Sequence, residues 1–342
     1  MKKMAICILM GALLMAIVPP AASQEETGPI ISILIDVDTT PSPNYDEVRS
    51  AEANLHTIYG EIARRKGTET IFLTQDVASS RIRLLLAQYS LFGAIEFGIS
   101  GQHSDDQLST LTLSEQKAII TKSIEFAEAA RICGMTEVHV TGFMPPGFDQ
   151  NADTYEVIDD LGFMYNAGFQ AGLIFEPGHE EDVWPYQVEG RNFYALPLST
   201  ASVDGELVPL HDKKMAEMEI SGSEWAEILK TKVDGAAAND EPVVVLVSTS
   251  VSADGEYLDA LKAFLDHAVS QDANIVNART LVNYAKTGSL TPLLFEESEC
   301  IDCEEGEEYG QATIRAVETP APEPAEAVDE ETPETEDIEI EA

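Results

Sequence analysis

Basic residues are scarce in this 342-residue chain: 20 Lys and Arg against 61 Asp and Glu leave a formal net charge of −41. Duplex nucleic acid and anionic lipid are bound mainly through lysine and arginine, so neither is an expected partner. Cysteine is scarcer still, with four residues. Cys7 lies in an N-terminal apolar run, Cys133 follows a helix-like segment, and Cys300 and Cys303 form a lone C-x2-C. One such pair supplies two ligands where a structural zinc site takes four, so a local disulfide is the favoured reading. Long apolar runs are missing after Val18, which predicts no stable membrane span once the N-terminal segment is removed.

That N-terminal segment, "MKKMAICILMGALLMAIVPPAAS", has a basic start, an apolar run from Ala5 to Val18 and small residues at cleavage-like spacing. It reads as a signal peptide over residues 1–23, cut after Ser23, and predicts a secreted or extracytoplasmic protein. The other end is also distinct. After Cys303 fifteen acidic residues face one arginine, interleaved with prolines, a composition that cannot bury enough apolar surface to fold. Residues 291–342 are therefore expected to be an acidic tail, leaving a folded domain over 24–290.

Within the domain, strand-like runs alternate with helix-like ones. "ISILIDVDT" is a continuous apolar run ending in carboxylates, and "EVRSAEANLHTIYGEIARRKG" after it has apolar residues at helical spacing. The alternation continues through "ETIFLTQD", the helix "ASSRIRLLLAQYSLFG", "AIEFGISGQH", a helix capped by Ser114, "EVHVTGF", "ADTYEVIDDLGF", "AGFQAGLIF", "FYALPLST" and "PVVVLVSTS". Such order implies an α/β fold with a parallel sheet, doubly wound or closed as a barrel. In either, sites gather at the C-terminal ends of strands. Asp36, Asp38, His103, the Met144 to Gly147 segment and Ser248 all fall there.

Two carboxylates at i and i+2 can divide labour, one holding a cation and the other receiving a proton from water. His103 on a third strand end adds a nitrogen, and a mixed Asp and His set suits zinc or a similar divalent ion. Gln107, four residues on, would share its face in a helical turn. "LIDVDTT" also fits the D-x-D-x-T opening of haloacid dehalogenase-like phosphatases, but too little chain follows "VVVLVSTS" to supply their later motifs.

"SILIDVDTT", "FGISGQHSDDQLSTLTLSEQ", "GFMPPGFDQNADTYEVIDDLGF" and "PVVVLVSTSVSADGEYLDALKAF" resemble, in order and spacing, the successive motifs of the polysaccharide deacetylase (NodB homology, carbohydrate esterase 4) family. The resemblance implies a distorted (β/α) barrel that removes N-acetyl groups from surface glycans by metal-assisted hydrolysis. It makes Asp36 the base and Asp38 and His103 metal ligands, with Gln107 in the third ligand position. Pro145 and Pro146 would line the substrate groove, and Trp184 with Tyr186 would offer a sugar platform. Three positions depart from the family pattern: Gln107 replaces a histidine ligand, Met144 an arginine that orients the base, and Ser248 a histidine that protonates the leaving amine. Asp105 and Asp106 are expected to face solvent, and His139, His179 and His211 remain as stand-in acids. Two functions follow. One is a secreted, metal-dependent deacetylase of N-acetylated polysaccharide, and the other is a catalytically degenerate deacetylase-fold protein that binds such glycans.

Overall fold

The structure is a computed structural model that describes residues 28–77, 82, 95–128 and 139–290. The expected signal peptide, almost all of the expected helix over 78–93, Cys133, the C-x2-C pair and the acidic C-terminal segment lie outside the described residues. In chain order the elements are β1 (Ile30–Val37), α1 (Tyr45–Arg64), β2 (Glu69–Leu73), β3 (Ile95–Ile99), α2 (Leu113–Glu128), β4 (Val140–Phe143), α3 (Ala152–Asp160) and β5 (Tyr165–Gln170). There follow β6 (Tyr186–Gln187), β7 (Tyr194–Leu198), β8 (Thr200–Val203), β9 (Glu206–Pro209), α4 (Asp212–Glu217), α5 (Gly222–Asn239), β10 (Val243–Ser248), α6 (Gly255–Ser270), β11 (Asn274–Val276) and α7 (Ala278–Thr287). No helix among the described residues is long and apolar enough to cross a membrane.

The sheet runs β10-β1-β2-β3-β4-β5-β7-β6, with β11 beside the start of β1. All pairings are parallel except β6 with β7. Between β7 and β10 the ladder is replaced by the chain after β7. Ser199 N donates to Val244 O at 3.0 Å, and Leu246 N donates to Leu210 O at 3.0 Å. The expected distorted (β/α) barrel is what forms, and its irregular closure is this stretch.

Strand periodicity then divides the side chains. Ile31, Ile33, Ile35 and Val37 pack outward with α1, α5 and α6, whereas Leu34 joins Phe72, Met144, Tyr165, Leu196, Leu198, Val244 and Leu246 inside the barrel. Ile99, Phe143 and Phe169 meet α2 and α3 on another outer face. Inside, large rings sit opposite missing side chains. A Cβ on Gly98 would lie 2.3 Å from the Phe72 ring, and one on Gly142 would lie 2.2 Å from Tyr165. By the same parity, the inward position after Leu34 is Asp36, and the one after Val244 and Leu246 is Ser248.

Helix ends follow side-chain chemistry. Asn44 caps α1 with Glu47 reaching back, and Asn151 caps α3 with Thr154 doing the same. The cap of α2 is Thr112 rather than Ser114. Thr112 Oγ1 accepts from Glu115 N and Thr112 N donates to Glu115 Oε2, so Ser114 falls one residue inside the first turn.

Candidate functional site

The strands end in a cavity of about 450 Å³. Asp36, Thr74, Ser100 and Gln170 come from strand ends, Met144 to Phe148 from the loop after β4, and His211, Lys213, Lys214 and Glu217 from α4 and its approach. Leu246 and Met144 give it an apolar floor. Ser100 is 2% exposed, and its Oγ has no hydrogen-bond partner. Backbone strain is local here: Gly147 and the non-glycine Phe148 both hold left-handed φ angles, 58° and 60°. That conformation turns the Phe148 ring edge-on to His211, with centroids 6.1 Å apart.

The central feature is a lysine between two carboxylates. Lys213 Nζ lies 2.8 Å from Asp38 Oδ2 and 3.2 Å from Asp36 Oδ2. Asp36 and Ser248 are register partners on β1 and β10, which brings the turn after β10 over Asp38. There Thr249 Oγ1 donates to Asp38 Oδ1 at 3.0 Å, Ser250 N to the same oxygen at 3.1 Å, and Ser250 Oγ to Asp38 Oδ2 at 2.6 Å. Burial works against ionisation of Asp38, but the Lys213 charge and the Lys213 and Ser250 hydrogen bonds outweigh it and hold its pKa below the ordinary value. For Asp36 burial wins over Lys213, and the pKa is raised. Lys213 itself is pushed above an ordinary lysine, because two carboxylates outweigh its desolvation.

Lys213 is held by its neighbour. Asp212 is completely buried, and its Oδ2 accepts from Ser248 N and from Ser252 Oγ, both at 2.7 Å, while Oδ1 accepts from Lys213 N at 2.7 Å. Burial still raises its pKa to about 7 against those donors. His211, on the other side, points Nε2 at Ser248 Oγ, 3.4 Å away. Burial first, and the Lys213 charge second, lower its pKa to about 3, so it is a neutral imidazole.

The expected metal ligands do not converge. His103 Nδ1 is bonded to Asp76 Oδ2 at 2.6 Å, and this bond raises the histidine's pKa. Residues 103–107 form a turn rather than a helix, so Gln107 does not share the His103 face; it is exposed, at the start of a short 3-10 turn. Asp106 turns inward far enough to accept from Gln102 N and His103 N at 2.8 and 2.9 Å, which fixes that turn. Among the described residues no three His, Cys, Asp or Glu side chains group to hold a metal ion. A divalent cation does not fit this donor set: the point on which Asp36 and Asp38 converge is taken by an ammonium, the imidazole has another partner and Gln107 is outside.

The remaining candidates divide. Pro145 and Pro146 line the cavity with Met144, and Asp36 forms part of its wall. Ser248 is fully buried beneath His211. Trp184 is elsewhere. It stacks on Tyr284 of α7 with centroids 5.6 Å apart and donates Nε1 to Asp240 O, before the start of β10. That is the N-terminal end of the barrel, opposite the cavity, so Trp184 is not a platform there; Tyr186 stacks on His179 in an outer loop. Lys213 and Asp212 were not singled out by sequence reasoning, and His211 was weighed only as a stand-in acid. The signal available was "HDKK", a histidine, an acid and two bases following an apolar segment.

An α/β barrel built on a nine-stranded main sheet with a charged cavity at its strand ends defines the class, and solved structures of that class exist. A protein assigned as a polysaccharide deacetylase from Mycobacterium smegmatis is 15% identical with a TM-score of 0.60, covering 80% of this chain and 95% of its own. PuuE allantoinase is 13% identical with a TM-score of 0.61, covering 77% and 92%. A protein assigned as a polysaccharide deacetylase from Pseudomonas aeruginosa PAO1 is 11% identical with a TM-score of 0.60, again covering 77% and 92%. No family model matches the chain, and no curated protein does. The fold is thus the polysaccharide deacetylase fold. That fold also carries an allantoinase, so it does not by itself select a substrate.

Proposed function

We propose that this is an exported, deacetylase-fold protein that binds an uncharged unit of an N-acetylated surface glycan in the strand-end cavity without metal-assisted hydrolysis. One observation carries the reading: the Lys213 ammonium stands between Asp36 and Asp38, where the resemblance would put a divalent ion. The loss of chemistry extends further. His211 beside Ser248 is neutral and too weak a base to hold a proton for a leaving amine, and Met144 cannot hydrogen-bond the Asp36 carboxylate. The cavity wall, however, is kept. Its charged members pair with opposite sign, Asp36 with Lys213 and Glu217 with Lys214, which favours a ligand without net charge. Residues 24–342, purified and passed over immobilised N-acetylglucosamine oligomers and their de-N-acetylated counterparts, are expected to be retained by the acetylated ones and to release no acetate. Absence of retention on both would refute the binding role.

Hydrolysis without a metal is the second reading. The observation favouring it is Asp36, which faces the cavity with a raised pKa and could take a proton from water. Acetate release that persists in a chelator and disappears in Asp36→Asn would establish it in place of simple binding.

A further inference from the structure

We infer that Lys213 is a built-in cation that replaces a divalent metal: it bridges the Asp36 and Asp38 carboxylates and offsets their repulsion, excludes a metal ion from the pair, and donates its remaining N–H to an oxygen of the bound ligand. An ammonium has three donors. Two are directed at the carboxylates, and the Lys213 side chain, 30% exposed, also lines the cavity. The site is built to keep it there. Asp212 fixes the backbone N–H of Lys213 and ties it to Ser248 and Ser252 at the end of β10, so the ammonium is presented from a rigid anchor rather than a free loop. Asp38 is bonded on both oxygens by Thr249 and Ser250. Removing the lysine would leave two converged carboxylates with hydroxyl neighbours, an all-oxygen set that suits a hard cation such as manganese.

Only the ligand-donor half of this assignment rests on the proposed binding role, so the deciding experiment uses manganese alone. The full chain, stripped with chelator and exchanged into chelator-free buffer, is titrated with Mn²⁺, and free ion is read from its paramagnetic resonance signal. Wild type and Lys213→Arg are expected to show no saturable binding. Lys213→Ala and Lys213→Met are expected to take up about one equivalent, at least tenfold more tightly than wild type. Gln107→His, with Lys213 intact, is expected to gain nothing. Wild type that binds Mn²⁺ as tightly as Lys213→Ala overturns the assignment, as do folded neutral variants that bind no better than wild type, or a gain in Gln107→His. Should the neutral variants fail to fold, the wild-type titration still decides, since saturable binding there means the lysine yields to the ion. Failure of glycan retention in wild type would defeat the binding role and leave the manganese result standing.

Discussion

The adjacent pair His211 and Asp212 makes a prediction with opposite signs in two single variants. His211 has its pKa lowered from 6.5 to about 3. Between those values the unfolded chain takes up a proton that the native state does not, so stability is lost as pH falls. Asp212 has its pKa raised from 3.8 to about 7. Between those values the native state keeps a proton that the unfolded chain has released, so stability is lost as pH rises. Each slope is about 1.4 kcal/mol per pH unit where it is fully developed. From pH 4.5 to 6 both states of the pair hold close to one proton, on Asp212 when native and on His211 when unfolded, and the two slopes nearly cancel. Urea denaturation across that range should therefore show His211→Asn losing about 2 kcal/mol relative to wild type as pH rises, and Asp212→Asn gaining about the same. The double variant should run parallel to wild type. Absolute stabilities will differ, because Asp212→Asn disturbs three hydrogen bonds, but only the slopes matter. Single-variant profiles parallel to wild type would refute the reasoning: they would mean a native ion pair across the 3.7 Å between His211 Nε2 and Asp212 Oδ1.

Two further predictions concern the barrel around the cavity. Gly98→Ala places a methyl 2.3 Å from the Phe72 ring and 2.8 Å from Gly142 O; overpacking of about 1–3 kcal/mol exceeds the ~0.4–1 kcal/mol gained by restricting the unfolded chain, so the urea midpoint should fall, and an unchanged midpoint would mean the barrel interior is loosely packed. Trp184→Ala should lower stability through the lost stack on Tyr284, worth roughly 0.5–1.5 kcal/mol beyond area, while leaving glycan retention unchanged; loss of retention in a folded variant would return Trp184 to the binding surface.

Much of the barrel was legible because its main strands are long apolar runs, and runs of Ile and Val ended by polar residues mark both the strand and its site-bearing end. What sequence reading missed was short. β6 has two residues and β11 three, below the length at which a period of two can be recognised. The β8–β9 hairpin did carry a signal: Asp204-Gly205, with φ of 51° and 84°, is a hairpin turn between alternating side chains. Overlooking it left His211 in an undefined charged loop, whereas the hairpin delivers it beside β10, bridged to Leu246. The Gln107 expectation failed for a different reason. Spacing of four places two side chains together only in a helix, and Asp106, by accepting two backbone N–H groups, holds residues 102–106 in a turn instead. Trp184 failed because a loop leaving the cavity end of β5 returns to the opposite end before β7, and sequence order does not show which end a loop residue reaches.

At the end of β1, Asp36 and Asp38 share a single cation, Lys213. Two carboxylates left at the end of β1 without a cation would repel one another in a partly desolvated place, where an unpaired charge is costly. Lys213 offsets that cost from within the chain and holds Asp36 through a charged hydrogen bond. An imidazole, His211, lies beside Ser248, carried by the approach to α4. Burial first, and the Lys213 charge second, outweigh the opposing pull of Asp38, so His211 stays neutral where a leaving-group acid must be protonated. The same lysine thus bridges the two carboxylates and adds to the burial that keeps the histidine neutral. Without it the two carboxylates would stand unpaired beside the open cavity; with it they are bridged.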